Sequence, residues 1–147
     1  MATFNYEIII SAPIQKVWDL LWSPETYPEW TQFFMAGSQF KSDWLVDGTT
    51  YFLDARENGM ISTIKSLNEP TEVIFSHLGM VKNGVVDTTT VNTLEWSGAE
   101  EKYFLREIDS NTTELRAEVH STRDMESMMD KGFNQGFEVL RKLAEEN

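Results

Sequence analysis

Along the first ten residues the apolar period is two. Phe4, Tyr6, Ile8 and Ile10 alternate with Asn5, Glu7 and Ile9, which predicts a strand with one buried face. At Ser11-Ala12-Pro13 the period changes. Ser11 or Ala12 can cap a helix whose first turn holds Pro13, where the missing N–H is harmless. Ile14, Val17, Trp18, Leu21 and Trp22 then share one helical face, predicting a helix over 13–22. The stretch SPETYPEW, Ser23 to Trp30, follows directly. Its prolines stop the helix, Ser23 can cap a second short one starting at Pro24, and Trp30 ends the corner. So much aromatic area in a broken corner implies packing against something.

The middle of the chain predicts strands over 38–44, 49–56, 59–67, 72–79, 92–107 and 112–121. The separators Val46-Asp47-Gly48, Glu57-Asn58-Gly59, Asn68-Glu69-Pro70 and Asp109-Ser110-Asn111 carry turn chemistry. Short separators mean antiparallel hairpins. The long run 92–107 is expected to bend at Ser97-Gly98-Ala99, and 80–91 reads as a looser loop. From Thr122 the period is helical again: Met129, Phe133, Gly136, Phe137, Leu140 and Leu143 recur at three- and four-residue steps. Thr122 or Asp124 can cap this helix, and early acidic residues complement its positive end.

This order predicts an α+β fold in one domain, residues 1–147. A curved antiparallel sheet wraps around the long C-terminal helix, with two short helices after the first strand. The terminal helix is the only element long enough to cover the sheet's apolar face. The aromatics of the 23–30 corner are expected to close one end beneath it, beside a cavity.

Composition narrows the partners. The chain has 147 residues, 41% hydrophobic and 24% charged, which suits a soluble globular protein. A net charge of −12 and a pI near 4.5 disfavour nucleic acid and anionic membrane surfaces. The absence of cysteine excludes disulfides, thiolate metal sites and thiol catalysis. No signal peptide or membrane-spanning run is expected, so the default location is cytoplasmic.

The stretch APIQKVWDLLWSPETYPEW resembles the opening of the START-like SRPBCC superfamily, the helix-grip fold. Within it the chain is most similar to the family named for the C-terminal domain of the activator of the heat-shock-protein ATPase. Ala12-Pro13, Val17-Trp18, the corner ending at Trp30, Gly59, Pro70, Tyr103 with Leu105, and Thr113-Glu114-Leu115 carry the likeness, which covers essentially the whole chain. It implies a hydrophobic cavity between sheet and terminal helix and no fixed catalytic set. Only Gly48 stands in WLVDGTTY, where the pollen-allergen branch carries a glycine-rich loop, so that branch's ligand habits are not carried over.

The chemistry-bearing residues are few. His77 and His120, the only histidines, lie in predicted strands far apart, a weak metal signal; a structural role is the simpler reading for each. His77 could face inward near Asp54 or Glu101. Asp54, Arg56, Glu57 and Arg106 could sit near a pocket, where an inward arginine would anchor an anionic headgroup; outward cross-strand ion pairs are the simpler account. Met125, Met128 and Met129 suit either core packing or an adaptable pocket mouth. Gly132 and Gly136 each cost about 1 kcal/mol against Ala in a helix, which implies close approach of a backbone, a ring or a ligand. Phosphate-loop, nucleophile-elbow, zincin and dinucleotide motifs are absent.

The leading expectation is a non-catalytic module, a monomer or weak homodimer, that binds a small apolar or amphipathic molecule without a cofactor or metal. The expected walls are Trp18, Trp30, Phe34, Tyr51 and Leu53, then Phe75, His77, Trp96, Tyr103 and Leu105, with Met129, Phe133 and Phe137 from the last helix. A chaperone-interaction module is the alternative, and a cyclase- or hydrolase-like enzyme the third.

Overall fold

The computed structural model describes residues 1–90, 93 and 96–146. Its strands are β1 (Ala2–Ile10), β2 (Gln39–Ser42), β3 (Thr50–Leu53), β4 (Gly59–Asn68), β5 (Glu72–Lys82), β6 (Val85–Asp87), β7 (Glu100–Asp109) and β8 (Thr112–Ser121). Helices α1 (Ile14–Trp22) and α2 (Tyr27–Thr31) follow β1, and a 3-10 turn at Arg123–Met125 leads into α3 (Glu126–Glu145). The sheet order is β1-β8-β7-β5-β4-β3-β2, with β6 paired to β5, and every pairing between these strands is antiparallel. This is the expected helix-grip architecture.

Alternation sets which side chains line the concave face. On β1 Phe4, Tyr6 and Ile10 are buried, and on β7 Tyr103 and Leu105. The α3 stripe Gly132, Phe133, Gly136, Phe137, Leu140 and Ala144 lies against that face. Phe133 stacks on Tyr6 at 4.7 Å between centroids, and the Tyr6 hydroxyl donates to Asp130 Oδ1 at 2.6 Å.

The broken corner closes the other end. Pro28 rather than Pro24 sits in the first turn of α2, behind Thr26. Trp22 meets the rings of Trp30, Phe40, Trp44, Phe75 and Tyr103, and Tyr27 packs on Phe40 at 4.8 Å. The indole of Trp30 donates to the Leu21 carbonyl at 3.0 Å, using an acceptor in the last turn of α1. The corner therefore packs against β2, β5, β7 and α3 at once.

Two sheet features differ from the sequence expectation. Residues 80–87 are not a loop: β5 runs on to Lys82 and pairs with β6 across Asn83-Gly84, both at positive φ. The predicted strand over 92–107 starts only at Glu100. Thr93 is helical and 96–98 form a turn, while residues 92, 94 and 95 lie outside the described ones.

Candidate ligand-binding cavity

A cavity of about 540 Å³ remains between the sheet, α2, the residues after it and the start of α3. Trp22, Phe75 and their neighbours fill the α1 side of the concave space, and the cavity occupies the other side. Met1, Met35, Met80 and Met128, all substantially exposed, mark its opening to solvent.

Eight of the thirteen expected wall residues line this space: Trp30, Phe34, Leu53, His77, Trp96, Tyr103, Met129 and Phe133. The other five are elsewhere. Phe75 is fully buried beneath Trp22, Trp44 and Phe52, and Leu105 is buried farther along β7. Phe137 lies one turn beyond Phe133 and packs on Trp30. Trp18 borders a separate shallow groove with Trp22 and Trp44. On β3 the buried residues are Thr50 and Phe52, so Tyr51 is on the opposite face, and Phe52 takes the expected wall position.

A bulge interrupts the pairing of β5 with β4 beside the wall. Ser62 pairs with His77 and Ile61 with Gly79, leaving Leu78 without a partner. Burial still alternates along β5, with Val73, Phe75, His77, Gly79 and Val81 buried. His77 therefore lines the cavity from the buried side, while exposed Met80 lines its mouth, with Met60 opposite. All seven methionines of the chain line the cavity. The sequence singles out only Met125, Met128 and Met129, because the others come from distant strands, the segment after α2 and the N-terminus.

One polar chain crosses this mostly apolar wall. Ser62 Oγ lies 2.7 Å from His77 Nδ1, His77 Nε2 lies 3.5 Å from Glu101 Oε1, and the Tyr103 hydroxyl donates to Glu101 Oε2. Nε2 faces the Glu101 carboxyl, so the hydrogen bonding is satisfied with the imidazole proton on Nε2 and Nδ1 accepting from Ser62. The Ser62 hydroxyl is fully buried and is not among the residues lining the cavity, so it orients the ring rather than presenting a nucleophile. Glu101 is 18% exposed and on the cavity wall. Burial, and then the Glu101 charge, raise the Tyr27 and Tyr103 phenols well above the ordinary tyrosine range, so both stay protonated.

The other charged candidates are occupied. The Asp54 carboxylate accepts from the amides of Arg56 and Asn58, which holds it below the usual range, and closes the turn between β3 and β4. Exposed Arg106 pairs across strands with Glu114, and Arg56 and Glu57 are exposed in that turn, so none anchors a headgroup. His120 Nδ1 accepts the Glu100 amide at 3.1 Å. Among the described residues no three His, Asp or Glu side chains are placed to hold a metal ion, and no helix is long and apolar enough to cross a membrane.

The fold has clear relatives. The Aha1 dimer of Colwellia psychrerythraea superposes with a TM-score of 0.71 at 18% identity, over 99% of this chain and 97% of that one. Protein MLL2253 of Mesorhizobium loti gives 0.73 at 16% identity, over 99% and 98%. CalU16 of Micromonospora echinospora gives 0.65 at 16%, over 97% and 74%. At these identities the likeness is one of fold. No curated protein matches the chain significantly in sequence. The family described as activator of Hsp90 ATPase homolog 1-like protein matches residues 11–145, nearly the whole length, and the chain belongs to that family.

Proposed function

We propose that this chain is a binding module that holds a small apolar or amphipathic molecule in the cavity between the sheet and α3. The observation that carries this reading is the gathering of all seven methionines around one space of about 540 Å³. That volume suits a small organic ligand, and unbranched, polarizable methionines let a wall adjust to its occupant. Burial of apolar surface, worth about 25 cal/mol per Å², supplies the affinity.

Methyl-labelled methionine makes this testable, because every label sits on the wall. Titration with a neutral apolar dye should shift several of the methyl resonances together and saturate at one dye per chain. Native mass spectrometry of protein purified from its own host should reveal a co-purifying small molecule. Saturable dye binding that leaves the methionine methyls unmoved would place binding elsewhere and overturn the reading.

The family description and the exposed Val85 and Val86 of β6 favour a second reading, a contact with a heat-shock ATPase. A change in that ATPase's turnover on adding the chain, lost in a Val85→Ser/Val86→Ser variant, would support it.

A further inference from the structure

We propose that the cavity selects amphiphiles whose polar end donates a hydrogen bond and is neutral or cationic, such as an alcohol, phenol or amine, and discriminates against carboxylates and phosphates. This rests on the reading of the cavity as a ligand site and specifies its ligand class.

The argument starts from the acceptor that the wall presents. Glu101 has two oxygens and about four lone-pair positions. The protein offers these oxygens the Tyr103 hydroxyl and, at 3.5 Å, the His77 Nε2–H. Acceptor capacity remains on a carboxylate that reaches the cavity surface. Its position is fixed, since Ser62 holds the imidazole and Tyr103, itself buried, holds the other oxygen. An incoming O–H or N–H completes its coordination. A bare hydrocarbon end would strip water from it and give nothing back.

The surrounding charges point the same way. No lysine or arginine is among the described residues lining the cavity, whereas Asp54 and Glu101 are. An anionic head would meet like charge inside, on a molecule whose net charge is already −12. Among the other titratable groups at the wall, the Tyr27 and Tyr103 phenols stay protonated, and Met1 brings the α-amino group at the exposed mouth. His120 Nδ1 accepts an amide, which leaves its Nε2–H as a donor for a second polar group on the ligand. The site is thus built around an acceptor, with the His120 donor set apart from it.

A matched decyl series tests this with one tail and four heads: decanol, decylamine, decanoate and decyl methyl ether, which lacks a donor. Affinities are read by displacement of the neutral dye, at a pH where the amine is charged and the acid ionised. Decanol and decylamine should bind at least about tenfold more tightly than decanoate, and more tightly than the ether. In Glu101→Gln the advantage of the amine over decanoate should shrink to less than about threefold. Decanoate binding as well as the amine in the unaltered protein would overturn the proposal, whatever the variant does. An unchanged ranking in a folded Glu101→Gln protein would overturn the assignment to Glu101. If no member displaces the dye, the ether included, the cavity reading itself falls and takes this inference with it.

Discussion

Gly136 is where the terminal helix meets the broken corner most closely. A Cβ there would stand 2.3 Å from the Trp30 carbonyl oxygen and 3.3 Å from its ring. Ala in place of Gly would ordinarily gain about 1 kcal/mol in a helix, but a backbone oxygen cannot rotate aside. The corner would have to shift, and overpacking of this kind costs about 1–3 kcal/mol. Gly136→Ala should therefore lower the urea midpoint. Gly132 is the informative contrast, because the three atoms nearest its Cβ all belong to the Phe34 ring. A half-buried ring can turn, so Gly132→Ala should cost less stability and instead move Phe34, a cavity wall residue, and weaken dye binding. Paired urea melts and dye titrations separate the two outcomes. A Gly136→Ala protein more stable than its parent would show that the approach has slack.

At the scale of elements, β6 is the least secured strand, three residues long and paired only with β5. Gly79 makes that pairing possible: a Cβ there would sit 2.2 Å from the Asp87 carbonyl oxygen. Gly79→Ala should push β6 off, seen as faster amide exchange in residues 85–87 with the amides of β1 and β8 still protected. Unchanged exchange at 85–87 would mean that the hairpin absorbs the methyl. This hairpin was legible in the sequence and was missed. Asn-Gly between Val81-Lys82 and Val85-Val86 is a two-residue turn signal, and both residues take positive φ. Long periodic segments such as β1, β8 and α3 read correctly because many residues vote on one phase. Tyr51-Phe52-Leu53 did not, since a four-residue strand with apolar side chains on both faces has no phase to read. The polar chain was half legible: Glu101 was one of two partners considered for His77, but the Leu78 bulge and the place of Ser62 depend on register between strands.

Across the whole molecule, three tyrosines tie separate elements to the interior: Tyr6 on β1, Tyr27 on α2 and Tyr103 on β7. All three phenols are raised above the ordinary value, by burial first and then by a neighbouring carboxylate, Asp130 for Tyr6 and Glu101 for the other two. An unfolded chain releases these protons near pH 10, while the folded chain keeps them. Above that pH the unfolded state binds fewer protons, so the stability slope with pH is negative. The contribution is complete below about pH 10 and is lost as the pH climbs toward the folded values. Urea midpoints should therefore decline above about pH 10, and tyrosinate absorbance from these three residues should appear together with the loss of near-ultraviolet circular dichroism. Tyr6→Phe should flatten the alkaline decline, because one proton drops out of the difference, while costing about 1 kcal/mol at neutral pH for the lost bond to Asp130. Tyrosinate forming near pH 10 in all of them while the dichroism stays native would mean that these phenols reach water in the folded state, and that the aromatic interior is looser than its packing implies.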